Sequence, residues 1–274
     1  MHADGWIDVD GSLIDYSNLT RAQDPADRRP DQALGLDFSG GHYLAFSGYD
    51  GVSLTFDAQG ELYRRYSGLD FVALGGTATY RHKYGLGPNV PWTLASISVA
   101  RERYREPIRD GDRLVVTLEA GYRVSEAFDL ALGGTLDRRY GKYDPPPEIP
   151  GYSARVFDLQ GVSAYLRAGY AINDRLLLTG RVAVRRGDIE STAHQSYAIF
   201  VASDAIADDP AFNDPNLYAY RLPATTYSGS LAASWILTDS ASLNLVYAGN
   251  RTRAAYGLEY ADRAVTVSIA YRYP

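Results

Sequence analysis

The sequence predicts an all-β protein, a closed transmembrane barrel of about twelve antiparallel strands in up-and-down order. Apolar and polar residues alternate along many segments, and short polar connections between these segments alternate with long ones. The 274-residue chain has no run of 18 apolar residues that would suit a membrane helix. Its mean hydropathy of -0.25 fits a barrel, because lipid-facing and lumen-facing residues cancel in any window.

The last segment shows the alternation most clearly. From Val265 to Tyr273, the odd positions carry Val, Ile and Tyr, whereas the even positions carry Thr, Ser, Ala and Arg. Strict period-two alternation indicates a strand with unlike surroundings on its two faces. The apolar face ends in Tyr271 and Tyr273, and tyrosine is enriched where a membrane meets water. The segment therefore predicts the closing strand of a barrel.

Eleven further segments precede it. Turn-forming residues at Ser125-Glu126, Asn173-Asp174 and Thr238-Asp239 separate strand pairs as in short hairpins. The predicted strands cover residues 5–18, 32–40, 43–56, 68–83, 92–105, 113–124, 127–141, 155–171, 175–190, 224–237, 241–252 and 263–273.

One part of this assignment stays open. Within 32–67, Gly40-Gly41 suits either a turn or a bulge, and Leu62 to Tyr66 would extend a strand. Ten or fourteen strands are therefore the alternatives to twelve. Residues 1–274 are predicted to form a single barrel domain with a long surface loop at about 191–221.

Composition narrows the class of protein. The chain has no cysteine, which suits an oxidising compartment and excludes disulfides, thiolate metal sites and a cysteine nucleophile. The net charge of -6 argues against a nucleic-acid partner. Nucleotide-binding and zinc-binding spacings do not occur, so we predict no cofactor and no metal. A soluble β-sandwich or lipocalin-like barrel is the alternative fold, but soluble barrels carry their charge outside and use shorter strands.

With these features the chain resembles the Gram-negative outer-membrane β-barrel proteins. The resemblance covers nearly the whole chain and includes an aromatic final strand that ends Ala270-Tyr271-Arg272-Tyr273. In length and strand count the chain is similar to small monomeric porins and to the outer-membrane phospholipase. The resemblance implies a place in the Gram-negative outer membrane, contact with the bilayer and with lipopolysaccharide, and passage of small solutes. A protein partner, bound through the loops or through a missing N-terminal domain, is a further expectation.

Charged residues on the polar faces are the candidate site. Charges inside a barrel must be paired or hydrated. One interpretation is a ladder of Arg–carboxylate pairs that closes a narrow lumen. The other is a hydrated pore in which Arg139, Arg167, Arg181 and Arg185, on three consecutive strands, attract anions. The residues expected to face inward are Arg81, Arg123, Arg139, Arg167, Arg181, Arg185, Arg272, Glu119, Asp129, Asp137 and Asn244.

The long loop is the second candidate feature. Its apolar piece, Tyr197 to Ala202, precedes a group of aspartates. Because an exposed apolar stretch seldom stays solvated, we expect the loop to fold into the barrel mouth or to form a short helix over it. Strand extensions above the membrane are the alternative, and the spacing of the aspartates fits no EF-hand calcium loop. The residues predicted to form a constriction are Phe200, Asp204, Asp208, Asp209 and Phe212.

A third feature bears on catalysis. His194-Gln195-Ser196 is similar to the His-x-Ser pair of outer-membrane phospholipase and lipid A deacylase, in which a histidine activates a serine. The sequence positions no third polar partner. We therefore predict a non-enzyme, an outer-membrane channel for passive diffusion of small polar or anionic solutes. The alternatives are a closed barrel that binds protein or serves assembly or secretion, and an outer-membrane lipid hydrolase.

Overall fold

The structure is a computed structural model that describes residues 3–146 and 150–273. Within these residues, twelve long antiparallel strands close into a barrel, and one short strand lies outside it. The strands are β1 (Ala3–Tyr16), β2 (Asp31–Ala45), β3 (Asp50–Tyr63), β4 (Phe71–Lys83), β5 (Trp92–Tyr104), β6 (Gly111–Arg123), β7 (Phe128–Gly141), β8 (Leu159–Asn173), β9 (Leu176–Ala193), β10 (Ala205–Asp208), β11 (Tyr218–Ile236), β12 (Ala241–Ala254) and β13 (Glu259–Tyr273).

Closure follows from the pairing of the first and last strands. β1 pairs with β2 on one side and with β13 on the other, with Leu13 opposite Val267. The short strand β10 pairs with β11 beyond the ring, and β11 itself pairs with β9 and β12. Closure removes the open edges of the sheet. The prediction of an all-β, twelve-strand antiparallel barrel is confirmed.

The connections differ between the two ends. Short turns join β2 to β3, β6 to β7, β8 to β9 and β11 to β12, at the same end as the two described termini. An eight-residue connection, 84–91, joins β4 to β5 at this end as well. The opposite end carries the longest connections, which are 17–30, 142–158 and the segment between β9 and β11 that contains helix α1 (Tyr197–Ala202). We call these the short-turn end and the long-loop end. Among the described residues, no helix combines the length and the apolar character needed to cross a bilayer.

The predicted boundaries were wrong within 32–67. β2 runs through Gly40-Gly41 to Ala45, and β3 begins at Asp50 rather than at residue 43. Gly41 is needed for packing instead of a turn, because the Trp6 indole lies where a Cβ of residue 41 would stand, 2.3 Å from Trp6 Cζ2. The turn itself lies at 46–49, where Ser47 Oγ accepts the N–H groups of Tyr49 and Asp50 at 3.0 Å each.

The long loop is shorter than predicted. β9 continues to Ala193 and β11 begins at Tyr218, and these two residues are register partners. The paired strands therefore rise past the other strands and leave residues 194–217 as the loop. Both loop expectations hold in part, since strand extensions and a short helix are present together.

The two faces of the sheet have the predicted chemistry. Leu166, Val182, Leu231 and Val267 lie exposed on the outer surface, and Leu178 is half-exposed there. A continuous apolar belt of this kind is unfavourable in water and suits contact with lipid. Aromatic side chains end the belt near the short turns, where they match a membrane interface. They are Tyr122, Tyr170, Trp235, Tyr271 and Tyr273.

An arginine at Val182 tests this orientation. Val182→Arg places a charge on the apolar belt and is expected to lower the free energy of unfolding by about 2–4 kcal/mol if the site is near the membrane midplane. Thr179→Arg, on the inward face of the same strand, is the control and is expected to change stability by less than about 1 kcal/mol. Urea unfolding in lipid vesicles measures both values. Equal destabilisation by the two substitutions would contradict the assigned faces.

Candidate functional site

One wall of the lumen is rich in arginine. Inward positions of β7, β8 and β9 hold the four arginines of the predicted stripe, and three of them pair with carboxylates. Arg139 Nε donates to Glu102 at 2.7 Å. The remaining two pairs are bidentate. Arg167 donates to Glu119 at 3.1 and 2.8 Å, and Arg185 donates to Asp137 at 3.0 and 2.7 Å.

Arg181 differs from its neighbours. Its guanidinium carbon lies 4.2 Å from the ring centroid of Tyr165, whose hydroxyl donates to Glu119 at 2.7 Å. No carboxylate of the described residues lies within 4.0 Å of the Arg181 guanidinium nitrogens, and the side chain is exposed to the lumen. Stacking on an aromatic ring holds an arginine in place without neutralising it. Arg181 is therefore the solvated cation of this stripe.

The other predicted inward residues also face the lumen. The guanidinium carbon of Arg81 lies 5.0 Å from the ring centroid of Trp92. Asp129 Oδ2 lies 3.7 Å from a guanidinium nitrogen of Arg167. Arg123 is exposed at the short-turn end, opposite Asp129 in register. Asn244 lies 3.4 Å from the Ser268 hydroxyl, and Arg272 forms a bidentate pair with an aspartate of β1.

The opposite wall is acidic, which sequence reasoning missed. β1, β2 and β3 lie half-way round the ring from β7, β8 and β9. Their inward aspartates are Asp8, Asp10, Asp37 and Asp57. Asp8 pairs with Arg272 at 2.7 Å, and Asp10 accepts the Ser268 hydroxyl at 2.9 Å. The signal was present in the same period-two register that identified the arginines, since each aspartate alternates with an outward residue.

Two cavities occupy the space between these walls. One, of about 470 Å³, contacts Arg181 and Arg185, and the other, of about 430 Å³, contacts the four aspartates. They share Glu102, Arg113 and Val115 as lining residues. Arg113 is a second residue that sequence reasoning missed. The polar space therefore extends from the basic wall to the acidic wall, with charges of opposite sign facing each other.

The long loop packs over the barrel mouth at the long-loop end, which we call the outer mouth because membrane barrels place their longer loops outside. Phe212 is 2% exposed, and its ring centroid lies 5.4 Å from that of Tyr66 in an edge-on arrangement. Phe200 is half-buried, and its ring centroid lies 4.6 Å from that of Tyr152. Of the predicted loop aspartates, Asp204 and Asp208 are exposed to solvent. Asp209 is buried, 1% exposed. The burial of both phenylalanines is as expected, and their role as a constriction stays a prediction.

Asp209 joins two connections at the long-loop end. Arg109, in the connection after β5, donates to Asp209 Oδ2 at 2.6 Å, and Thr192 Oγ1 donates to the same oxygen at 2.6 Å. The Arg109 guanidinium also lies over the rings of Phe157 and Phe212, at 4.7 and 5.5 Å. The loop is therefore held by an ion pair that is shielded from water on both sides.

His194 and Ser196 have structural roles in the loop. His194 Nδ1 lies 2.5 Å from Asp27 Oδ1, and Ser196 Oγ accepts the Ile199 N–H at 3.4 Å to cap α1. Within the described residues, no hydrogen bond joins His194 to Ser196. His194 also affects the nearby carboxyl of Asp214. The pKa of Asp214 is lowered below its usual range, first by the hydrogen bond from the Asn216 N–H and then by the charges of His194 and Arg29. No cluster of three or more metal-ligating side chains occurs among the described residues.

An alanine at Asp209 tests how the loop is held. Removing one partner of a buried ion pair costs about 3–5 kcal/mol, because the other charge stays buried. Asp209→Ala is therefore expected to free the loop and to increase protease cleavage within 194–217, whereas exposed Asp208→Ala serves as the control with little effect. Limited proteolysis followed by mass spectrometry measures both. Equal cleavage rates in the two variants would show that the ion pair does not hold the loop.

Comparison with known proteins gives the fold. No protein-family model matches the chain, and no curated protein sequence does either. The COG4313 outer membrane channel from Pseudomonas putida F1 is similar, with a TM-score of 0.63 and 10% identity over 100% of this chain and 97% of that one. The KdgM porin in complex with disordered oligogalacturonate gives a TM-score of 0.49 and 8% identity over 97% of this chain and 99% of that one. The translocator domain of autotransporter NalP from Neisseria meningitidis gives a TM-score of 0.46 and 12% identity over 98% of this chain and 88% of that one. The predicted resemblance is confirmed at the level of fold, and the chain has the architecture of outer-membrane β-barrel proteins.

Proposed function

We propose that this chain is a passive channel for small polar solutes in the outer membrane of a Gram-negative bacterium. The observation that carries the proposal is the lumen, which is polar and charged on both walls and contains the solvated Arg181. A charged side chain inside a membrane is costly, because it must be paired or hydrated. A barrel that served only as a membrane anchor would gain nothing from carrying such charges in its lumen. The similarity of the fold to that of the COG4313 outer membrane channel supports the same function.

The width of the barrel limits the solute. Twelve strands enclose less space than the 16 to 18 strands of large porins, and the packed loop narrows the outer mouth further. Opposed walls of opposite sign favour solutes that carry a dipole or a charge. Anion preference rests on Arg181 and Arg113, because the other three arginines of the stripe pair with carboxylates. The solute class is therefore small polar molecules, with anions admitted along the arginine wall.

The second candidate is a closed barrel that binds a protein. Buried apolar residues beneath the long loop favour this function, because they fill the outer mouth with a packed core. The buried Arg109–Asp209 pair adds to the closure. The third candidate, a lipid hydrolase, has less support because Ser196 is already used as a helix cap. The lipid bilayer and lipopolysaccharide are the proposed surroundings under either of the first two functions.

Replacing the loop separates the channel from the closed barrel. Ala193 and Tyr218 are register partners, so an Asn-Gly turn in place of residues 194–217 joins them as a tight hairpin. We expect the unmodified chain to conduct in a planar bilayer and the shortened chain to conduct more. Circular dichroism of both proteins controls for retention of the barrel.

The outcomes of this experiment are distinct. Equal conductance in both proteins would show that the loop is not the constriction. Conductance in the shortened protein alone would favour the closed barrel, with the loop as its seal. Absence of conductance in both would contradict the channel proposal.

Reversing one charge tests selectivity. Arg181→Glu replaces the solvated cation with an anion, so the preference for anions is expected to weaken or to change to cations. Arg181→Lys keeps the charge and is expected to change the selectivity little. Reversal potentials in a salt gradient measure the preference. A potential near zero, or a preference for cations in the unmodified chain, would contradict the anion component of the proposal.

A further inference from the structure

A groove lies on the outside of the barrel near the long-loop end, apart from the lumen. It has a volume of about 660 Å³ and extends over five strands, β7, β8, β9, β11 and β12. Leu136 and Val162 form an apolar part, and Arg138, Arg186 and Arg253 form a basic part. Each of these residues occupies an outward position of its strand, so the groove opens towards the surroundings of the barrel.

Strand pairing places the groove residues in a fixed pattern. Leu136, Val162, Arg186, Thr225 and Arg253 are successive register partners from β7 to β12 and form one row. Because neighbouring strands are about 4.8 Å apart, the backbones at Arg186 and Arg253 are separated by about 10 Å. Arg138 lies one row nearer the long-loop end, opposite Gln160. The three guanidinium groups are thus set around an area the size of a phosphorylated sugar headgroup.

The basic part begins where the apolar belt ends. On β9 the outward residues below Arg186 run from Leu176 to Val184 and are apolar or glycine. Eight residue steps of about 3.3 Å, tilted by about 40°, span roughly 20 Å, close to the height of the apolar band of a membrane barrel. Membrane barrels place their longer loops at the outer surface, so the long-loop end is taken as the outer one. Arg186 then lies at the level of the headgroups of the outer leaflet.

The charge of the groove is incompletely balanced. No carboxylate of the described residues pairs with Arg186, and Arg138 lies 3.8 Å from Asp158. Glu259 pairs with two arginines at once, with nitrogen–oxygen distances of 3.0 Å to Arg253 and 2.7 Å to Arg251. Two carboxylates also line the groove. Asp188 accepts the N–H of Gln160 at 3.2 Å, and the carboxylate of Asp137 pairs with inward-facing Arg185. A basic groove remains on a chain whose net charge is -6.

We propose that this groove binds the phosphorylated headgroup of a glycolipid of the outer leaflet, of the lipid A type. Arg138, Arg186 and Arg253 bind the phosphates, since a guanidinium matches a phosphate in bidentate geometry. Leu136 and Val162 contact the first part of the acyl chains. The inference rests on the outer-membrane location in the proposed function but not on solute passage.

The test uses the full chain in detergent and lipid A as the probe. Native mass spectrometry counts bound lipid as its concentration rises. The variant Arg138→Gln/Arg186→Gln/Arg253→Gln is expected to lose affinity by on the order of 100-fold, from about fivefold for each arginine. The control is Arg64→Gln/Arg101→Gln/Arg103→Gln, which neutralises three exposed arginines at the same end, two on β5 and one just after β3. It is expected to change the affinity by less than about twofold, since it does not touch the groove.

Phosphate dependence gives a second arm. Dephosphorylated lipid A is expected to bind the unmodified chain as weakly as phosphorylated lipid A binds the groove variant. Equal losses in the two triple variants, unchanged binding in the groove variant, or equal binding of the two lipids would each overturn the proposal. Bilayer conductance of the groove variant, expected to match that of the unmodified chain, is scored separately. If the unmodified chain does not conduct, the channel proposal is contradicted. The lipid proposal is decided separately, by the binding measurements.

Discussion

The need to pair every backbone polar group inside a membrane governs this structure. An open sheet would leave unpaired N–H and C=O groups in lipid, so the strands must close into a ring. The pairing of β1 with β13 provides that closure. Once the ring is closed, each strand has a fixed register, and the alternation of side chains assigns one face to lipid and the other to the lumen. Val182 and Arg181 are adjacent in sequence, yet they contact different solvents for this reason.

The same constraint determines how the lumen carries its charges. A charged side chain on the inward face cannot turn outward without changing the register of its whole strand, so it must find a partner or water where it stands. Arg139 illustrates the result. It pairs with Glu102, donates to the Phe157 carbonyl at 3.1 Å, and also donates to the carbonyl of Arg109. Because Arg109 pairs with Asp209 of the long loop, the lumen wall and the outer mouth belong to one hydrogen-bonded network.

The sequence allowed the barrel and its inward residues to be predicted, because both depend on period-two alternation within single strands. Partner identities could not be predicted, since Arg167 and Glu119 are 48 residues apart and meet through the register of three strands. Gly41 misled the assignment because its role, to accommodate the Trp6 side chain, depends on a neighbouring strand. The burial of Asp209 and the groove beside Arg186 likewise depend on contacts between distant segments, which local patterns do not contain.

In a membrane channel of this architecture the inward face is wetted and the outward face contacts lipid. The chain has no cysteine, so single cysteines can be introduced along β9 without a background signal. In lipid vesicles, a charged, membrane-impermeant thiol reagent is expected to label Thr179→Cys and Ala183→Cys readily and Leu178→Cys and Val182→Cys slowly. Slow labelling at all four positions would show a sealed lumen and contradict a channel. Rapid labelling at Leu178→Cys and Val182→Cys would contradict the transmembrane barrel itself.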